Sequence, residues 1–118
     1  MRAKRQQPER AEQRAILDLL RLVHAQVWVL GTVRQRGDWP GTRQTPGLPD
    51  IIASIPVREI QVGRINRQRL EVEVKAPQGR LSEAQGNYRA HALSAGIEHL
   101  VGGVDVVLAW LRARGHRV

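Results

Sequence analysis

Residues 69–76 read Arg-Leu-Glu-Val-Glu-Val-Lys-Ala, and this stretch decides the fold. Its apolar side chains fall on every second position, which is the period of a β-strand with one face in a protein core. The intervening positions carry Glu71, Glu73 and Lys75, which therefore share the opposite face. We expect Glu71 to be solvated there. The other two need a further explanation, because they lie at the end of a strand otherwise built for burial.

Hydrophobic periodicity and turn residues divide the rest of the chain into short elements. The pattern predicts helices over 9–24, 82–95 and 104–114, strands over 26–33, 49–55, 69–76 and 97–101, a loop over 34–48 and a hairpin region over 56–66. The order αβββαβα predicts a single α/β domain over 1–118, with a mixed central sheet flanked by helices. We expect residues 1–8 to form a flexible basic tail before the first helix.

Composition limits the chemistry that the chain can perform. There is no cysteine among the 118 residues, which excludes disulfides, thiolate metal sites and cysteine nucleophiles. A bound metal would therefore use oxygen or imidazole ligands, which favours Mg²⁺ or Mn²⁺. No apolar run reaches the ~20 residues of a membrane span, and the N-terminus lacks the apolar region of a signal peptide. We therefore expect a cytoplasmic protein with no membrane partner.

The formal net charge of +8 predicts a polyanionic partner, most often a nucleic acid. Aromatic side chains are scarce, so we expect binding through phosphates, with strong salt dependence and weak sequence specificity. Candidate phosphate contacts are Arg34, Arg36 and Arg43 beside the long loop and Arg80 after a turn. A solvated basic surface is the alternative explanation for these arginines.

A pair of carboxylates is the strongest chemical signal. Asp50 follows Pro49 at the start of a predicted strand, and it meets Glu73 at one end of the sheet if the two strands pair. Their side chains and the Val74 carbonyl would form an oxygen-lined site for Mg²⁺ or Mn²⁺. Lys75 would lie beside this site, and a compact ammonium fits next to an attacking water where a planar guanidinium would not.

These residues match a known pattern. Pro49-Asp50 followed by Glu73-Val74-Lys75 is the PD-(D/E)xK nuclease motif. The longer blocks Gly47-Leu48-Pro49-Asp50 and Glu73-Val74-Lys75-Ala76-Pro77-Gln78-Gly79-Arg80-Leu81-Ser82, followed by Gln85, resemble the VRR-NUC family of virus-type replication–repair nucleases. The resemblance extends from about residue 10 to residue 112.

The resemblance implies a restriction-endonuclease-like fold and a bacterial or phage-encoded, homodimeric DNA endonuclease. Its substrate would be structured or branched DNA, as for Holliday-junction resolvases. Asp50 and Glu73 match the acidic metal ligands, Lys75 matches the catalytic lysine, and Gln85 matches a glutamine that faces the site. Glu12 resembles the acidic residue of the first helix that often completes such sites.

Two of these positions have purely structural alternatives. Ser82 and Gln85 have the spacing of a helix capping box, which explains both residues without catalysis. Glu12 lies on a charged helical face that solvation explains equally well. At the level of the whole protein, the competing hypothesis is a non-catalytic nucleic-acid-binding module related to these nucleases. A hydrolase of a small substrate has no support, because nothing in the sequence indicates an enclosed pocket.

Overall fold

The computed structural model describes residues 2–30, 45–57 and 66–118. Within these ranges the chain forms three helices and four strands, in the order α1 (Arg2–Leu22), β1 (Gln26–Val29), β2 (Ile51–Val57), β3 (Asn66–Val74), α2 (Glu83–Ser94), β4 (Glu98–Gly102) and α3 (Val104–Ala113). The predicted order αβββαβα is confirmed. Arg34, Arg36 and Arg43, and most of the predicted loop and hairpin region, lie outside the described residues.

The four described strands form one mixed sheet in the order β1-β2-β3-β4. β1 and β2 are antiparallel, β2 and β3 are antiparallel, and β3 and β4 are parallel. A parallel pair needs a crossover connection, and α2 supplies it between β3 and β4. The register places Ile51 opposite Val72 and Val74 opposite Gly102, so the ends of β3 and β4 meet the start of β2 at one edge.

The hydrophobic core lies between one face of the sheet and two helices. Apolar side chains from α1, β2, β3 and α3 form a single buried cluster. The sheet contributes alternate residues, such as Ile51 and Ala53 in β2 and Leu70 and Val72 in β3, as the strand period requires. α2 lies on the opposite face, where its side chains contact the polar residues of β3 and β4. This second layer decides the environment of the candidate site.

Several element boundaries differ from the prediction, and two of the differences involve a proline. α1 begins at Arg2 and contains Pro8, so residues 2–8 extend the helix where the sequence predicted a tail. Proline has a helix-compatible φ and removes one hydrogen bond, which the good helix formers around Pro8 can tolerate. β2 continues through Pro56 to Val57. Beyond Ser54 the strand no longer pairs with β1, and proline is tolerated where a strand has such an edge. No helix among the described residues combines the length and the apolar character needed to cross a membrane.

Candidate active site

Asp50 lies immediately before β2 and is fixed on both sides by backbone hydrogen bonds. Its N–H donates to the Val72 carbonyl at 3.0 Å, and its carbonyl accepts from the N–H of Leu30 at 2.8 Å. Its side-chain Oδ2 accepts a hydrogen bond of 2.7 Å from the N–H of Val74. Since Ile51 pairs with Val72, Asp50 lies opposite Glu73 in the continued register. The sequence-based prediction that the two carboxylates meet at one end of the sheet agrees with this arrangement.

Glu73 is a buried carboxylate with one unused oxygen. The residue is 2% exposed. Oε1 accepts a hydrogen bond of 2.8 Å from Nε2 of Gln85, whereas Oε2 has no partner among the described residues. The pKa of Glu73 is raised from 4.5 to about 8, chiefly by burial and next by the negative charge of the neighbouring Asp50 carboxylate. The positive charge of Lys75 acts in the opposite direction.

Lys75 follows the last residue of β3 and is half-buried beside this pair. Its N–H donates to the Gly102 carbonyl at 3.0 Å, which fixes the backbone at the sheet edge. Its aliphatic stem packs under the turn that ends at Gly79. A Cβ on Gly79 would lie 3.2 Å from Cδ of Lys75 and 3.1 Å from the Ala76 carbonyl oxygen. Glycine in this turn therefore leaves room for the lysine.

Gln85 forms the predicted capping box and also contacts the candidate site. Its Oε1 accepts from the N–H of Ser82 at 2.8 Å, and Oγ of Ser82 accepts from the N–H of Gln85 at 3.1 Å, which completes the capping box. Because the cap uses the carbonyl oxygen of the amide, the Nε2 group points away from it and donates to Glu73. The helix cap therefore orients the hydrogen-bond donor that reaches the site.

The segment before Asp50 is held against the start of α2. Gly47 has a φ of +91°, a conformation that side chains other than glycine rarely adopt. A Cβ at this position would also collide with the carbonyl of Ala84. The glycine thus brings the Asp50 segment and the first turn of α2 together, and Gln85 is the next residue of that turn.

Glu12 does not point freely into the site. Its Oε2 accepts a hydrogen bond of 2.6 Å from the N–H of Val104, the first residue of α3. The N-cap residue of α3 is Gly103, which offers no side-chain cap, and a Cβ there would collide with the Glu12 carboxylate. Glu12 therefore caps α3 from a distant helix, which neither sequence-based explanation anticipated. The charge on α1 that raises the pKa of Glu73 belongs to Glu9, one turn earlier.

Glu71 is not solvated, so this prediction is wrong. The residue is fully buried, because α2 covers this face of β3. Its Oε1 accepts a hydrogen bond of 2.7 Å from the hydroxyl of Tyr88, and its Oε2 lies 3.1 Å from the guanidinium of Arg69. Burial, together with this bond to a carboxylate, raises the pKa of Tyr88 to about 12. In the sequence, the only sign that Glu71 belongs with the site is its spacing of two residues from Glu73. That spacing could not reveal that a helix covers this face of the strand.

His99 extends the same polar layer on β4. It pairs with Glu71 across the parallel strands and is buried. An Arg89 guanidinium nitrogen lies 2.9 Å from its Nδ1, and the Tyr88 ring lies 5.7 Å away between centroids. Burial and the adjacent Arg89 charge lower the pKa of His99, so the ring is held in its neutral form. α2 thus contacts the sheet through Gln85, Tyr88 and Arg89, at helical spacing.

The carboxylate pair has the properties of a partial divalent-cation site. Among the described residues, no group of three or more His, Cys, Asp or Glu side chains could hold a metal ion. Mg²⁺, however, commonly uses one or two carboxylates and fills its other positions with water or substrate phosphate. Asp50 and Glu73 fit this requirement, because a cation would offset their repulsion and give Oε2 of Glu73 a partner. Val74 uses its N–H to bind Asp50, and its carbonyl as a ligand stays a prediction.

The candidate phosphate contacts remain largely predictions. Arg80 is exposed and directly follows Gly79, in the segment that connects Lys75 to α2. Of the four arginines that the sequence singled out, it is the one within the described residues.

Comparisons with known proteins identify the fold. Neither a protein-family model nor a curated protein matches the chain. A solved structure described as a "VRR_NUC domain" matches with a TM-score of 0.62 and 16% sequence identity, over 92% of this chain and 98% of that chain. At 16% sequence identity, the similarity between the two structures establishes a shared fold. The chain therefore has a nuclease-type fold, that of a VRR-NUC domain, and the resemblance drawn from the motifs is confirmed at this level.

Proposed function

We propose that this chain is a divalent-metal-dependent nuclease that hydrolyses phosphodiester bonds in DNA. The observation that carries the proposal is the pair Asp50 and Glu73, two adjacent carboxylates beside Lys75. Glu73 is buried, has an unpartnered oxygen and has a pKa raised to about 8. Such an arrangement is costly in a purely structural role, and perturbed carboxylates of this kind are concentrated at functional sites.

Asp50 and Glu73 are the residues that would hold Mg²⁺ or Mn²⁺. The bound cation would supply positive charge that polarises the phosphate and lowers the pKa of a water molecule. The Asp50 backbone is fixed by two hydrogen bonds and its side chain by a third from Val74, so the carboxylate loses little further freedom on binding. Glu73 has one oxygen held by Gln85 and the other available.

Lys75 would act on the phosphate rather than on the cation. Its positive charge lowers the pKa of Glu73, two residues earlier in the chain. A positive charge at this position stabilises the negative charge that develops on the phosphate oxygens and can orient the attacking water. Gln85 acts through Glu73, whose side chain it fixes, and is a positioning residue.

Substitution of the proposed residues tests the site. Asp50→Asn and Lys75→Met should reduce DNA cleavage in Mg²⁺ by at least about 100-fold, the range found when one electrostatic group is removed from an active site. DNA binding in a filter or anisotropy assay should remain within a few-fold of wild type. Lys4→Met, which alters the other lysine of the chain, and Asp105→Asn, at an exposed position of α3, are the matched controls. Undiminished cleavage by the Asp50 and Lys75 variants would refute the assignment.

A non-catalytic nucleic-acid-binding module is the competing function, and the charge of +8 is what favours it. Thermal unfolding with and without Mg²⁺ or Mn²⁺ separates the two hypotheses. A metal site stabilises the folded state by mass action, by ~2.7 kcal/mol at 100 times the dissociation constant. A binding module without a metal site should unfold at the same temperature in EDTA and in either cation.

We further propose structured or branched DNA as the substrate and a homodimer as the active form, both of which rest on the family resemblance. A panel of four-way junction, flap, splayed arm, linear duplex and single strand in Mg²⁺ or Mn²⁺ tests the first. Sedimentation velocity tests the second. Preferential cleavage of linear duplex would contradict the substrate proposal, and a monomer at cleavage-competent concentrations would contradict the assembly.

A further inference from the structure

Trp28 lies on the same face of the sheet as the candidate site. It pairs with Ile52 across β1 and β2, and Ile52 pairs with Glu71 across β2 and β3. Directly opposed side chains share a face. Asp50 precedes Ile52 by two residues and is therefore the diagonal neighbour of Trp28, at a typical separation of about 7–8 Å, which an aromatic side chain can span.

The Trp28 ring is unusually exposed for its type. The residue is 49% exposed, whereas Trp110 in α3 is 8% exposed. The chain is poor in aromatic residues, with three Trp, one Tyr and no Phe. Packing in the core does not explain a tryptophan at this position, because the residue is half exposed. Its place next to the proposed site therefore asks for another explanation.

Two arginines of β3, on the same sheet face as Trp28 but across β2 from it, favour a polyanion over a protein. Arg67 and Arg69 lie on the same face of β3, and Arg67 spans to β2 with hydrogen bonds of 2.8 Å to both Oγ and the carbonyl of Ser54. The Arg69 side chain is 60% exposed, and its guanidinium also pairs with Glu71 at 3.1 Å. In the described strands, the acidic residues of β3 on this face are buried. A second copy of this basic chain would bring like charges together here.

We propose that Trp28 stacks on an unpaired base of the nucleic acid whose phosphodiester lies at Asp50 and Glu73. The inference rests on the proposed function and specifies its substrate: DNA with an unpaired nucleotide next to the bond that is cut. Bases in a continuous duplex are already stacked on both faces, and stacking on an aromatic ring is tolerant of sequence. Trp28 therefore favours DNA with unpaired nucleotides and does not distinguish between the bases.

The test uses a splayed arm with 2-aminopurine at its first unpaired nucleotide, and a fully paired duplex of the same sequence. Cleavage is blocked with Lys75→Met, so that binding and stacking are measured directly. The probe should be quenched on binding, and Trp28→Ala should abolish the quenching and weaken binding to the splayed arm by about 10-fold or more. Trp28→Phe should preserve both effects. In the cleavage-competent chain, Trp28→Ala should raise KM for the splayed arm and leave KM for duplex unchanged.

Two controls keep the proposal falsifiable. Leu93→Ala removes another apolar side chain that is 49% exposed, on α2, and should change neither quenching nor KM. Trp28→Leu retains an apolar side chain without a π-face, should lose quenching as Trp28→Ala does, and replaces the alanine variant if that variant does not fold.

Three results would overturn the proposal. The first is no quenching in the Lys75→Met chain with Trp28 intact, and the second is equal losses on splayed arm and duplex. The third is a lower sedimentation coefficient for Trp28→Ala, which would make Trp28 a contact between copies. Absence of cleavage by the unsubstituted chain would count against the proposed nuclease function alone, because quenching reports on stacking without turnover.

Discussion

Replacing Glu73 with glutamine should make the metal-free protein more stable at neutral pH. The folded state raises the pKa of Glu73 from 4.5 to about 8, because the carboxylate is buried next to Asp50. Between these two values the folded chain holds a proton that the unfolded chain has lost, so stability falls as the pH rises through this range. Each pH unit costs about 1.4 kcal/mol, which amounts to about 4 kcal/mol at pH 7.5 and about 1 kcal/mol at pH 5.

Glu73→Gln removes this cost and keeps an acceptor for Gln85 at the same position. We expect the variant in EDTA to be stabilised by up to about 4 kcal/mol at pH 7.5, or about 15 °C in Tm, and by about 1 kcal/mol at pH 5. Addition of 10 mM Mg²⁺, a concentration on the order of 100 times a weak dissociation constant, should narrow this difference by ~2.7 kcal/mol, because wild type gains stability by mass action and the variant does not.

Chemical denaturation with urea at pH 5, 6, 7 and 8, in EDTA and in Mg²⁺, measures these differences. Glu83→Gln is the matched control, since Glu83 is an exposed glutamate in the first turn of α2, and it should not stabilise the protein at pH 7.5. The reasoning is refuted if Glu73→Gln is no more stable than wild type at pH 7.5, or if the difference between the two is the same at pH 5 and pH 8.

Three other predictions concern the groups around the site. Tyr88→Phe should destabilise the fold by about 1.5–3 kcal/mol, since it removes a hydrogen bond to the buried Glu71 carboxylate; equal urea midpoints would contradict this. Gly103→Ala should cost about 1–3 kcal/mol because its Cβ collides with Glu12, and a Glu12→Ala background should remove most of that extra cost in a double-mutant cycle. Apparent Mg²⁺ affinity should rise with pH up to about 8, as Glu73 loses its proton, and a pH-independent titration would exclude Glu73 as a ligand.

Local sequence patterns carried much of the information about the site itself. Alternation in β3 placed Glu73 and Lys75 on one face, and the Pro-Asp step before β2 placed Asp50 near them, because a strand fixes side-chain direction residue by residue. The Ser82–Gln85 capping box was equally readable, since it involves residues three apart in one helical turn. The roles of these residues in metal binding and catalysis stay predictions until they are measured.

What only the tertiary structure decided concerns contacts between elements distant in the chain. Glu71 and Glu73 look alike in the sequence, yet α2 buries the first against Tyr88 and leaves an oxygen of the second without a described partner. Glu12 has the spacing of a solvated helix residue, but the packing of α1 near α3 makes it a cap for Val104, 92 residues away.

The sequence by itself thus determined the order of the elements, the motif and the direction of its side chains, because these follow from backbone periods of two and 3.6 residues and from turn chemistry. Burial, pKa and partner choice were decided by the tertiary structure. They depend on which helix covers which face of the sheet, and therefore on the packing of whole elements. Trp28 is the clearest case: β-propensity placed it in a strand, and only the sheet register placed it diagonally across from Asp50.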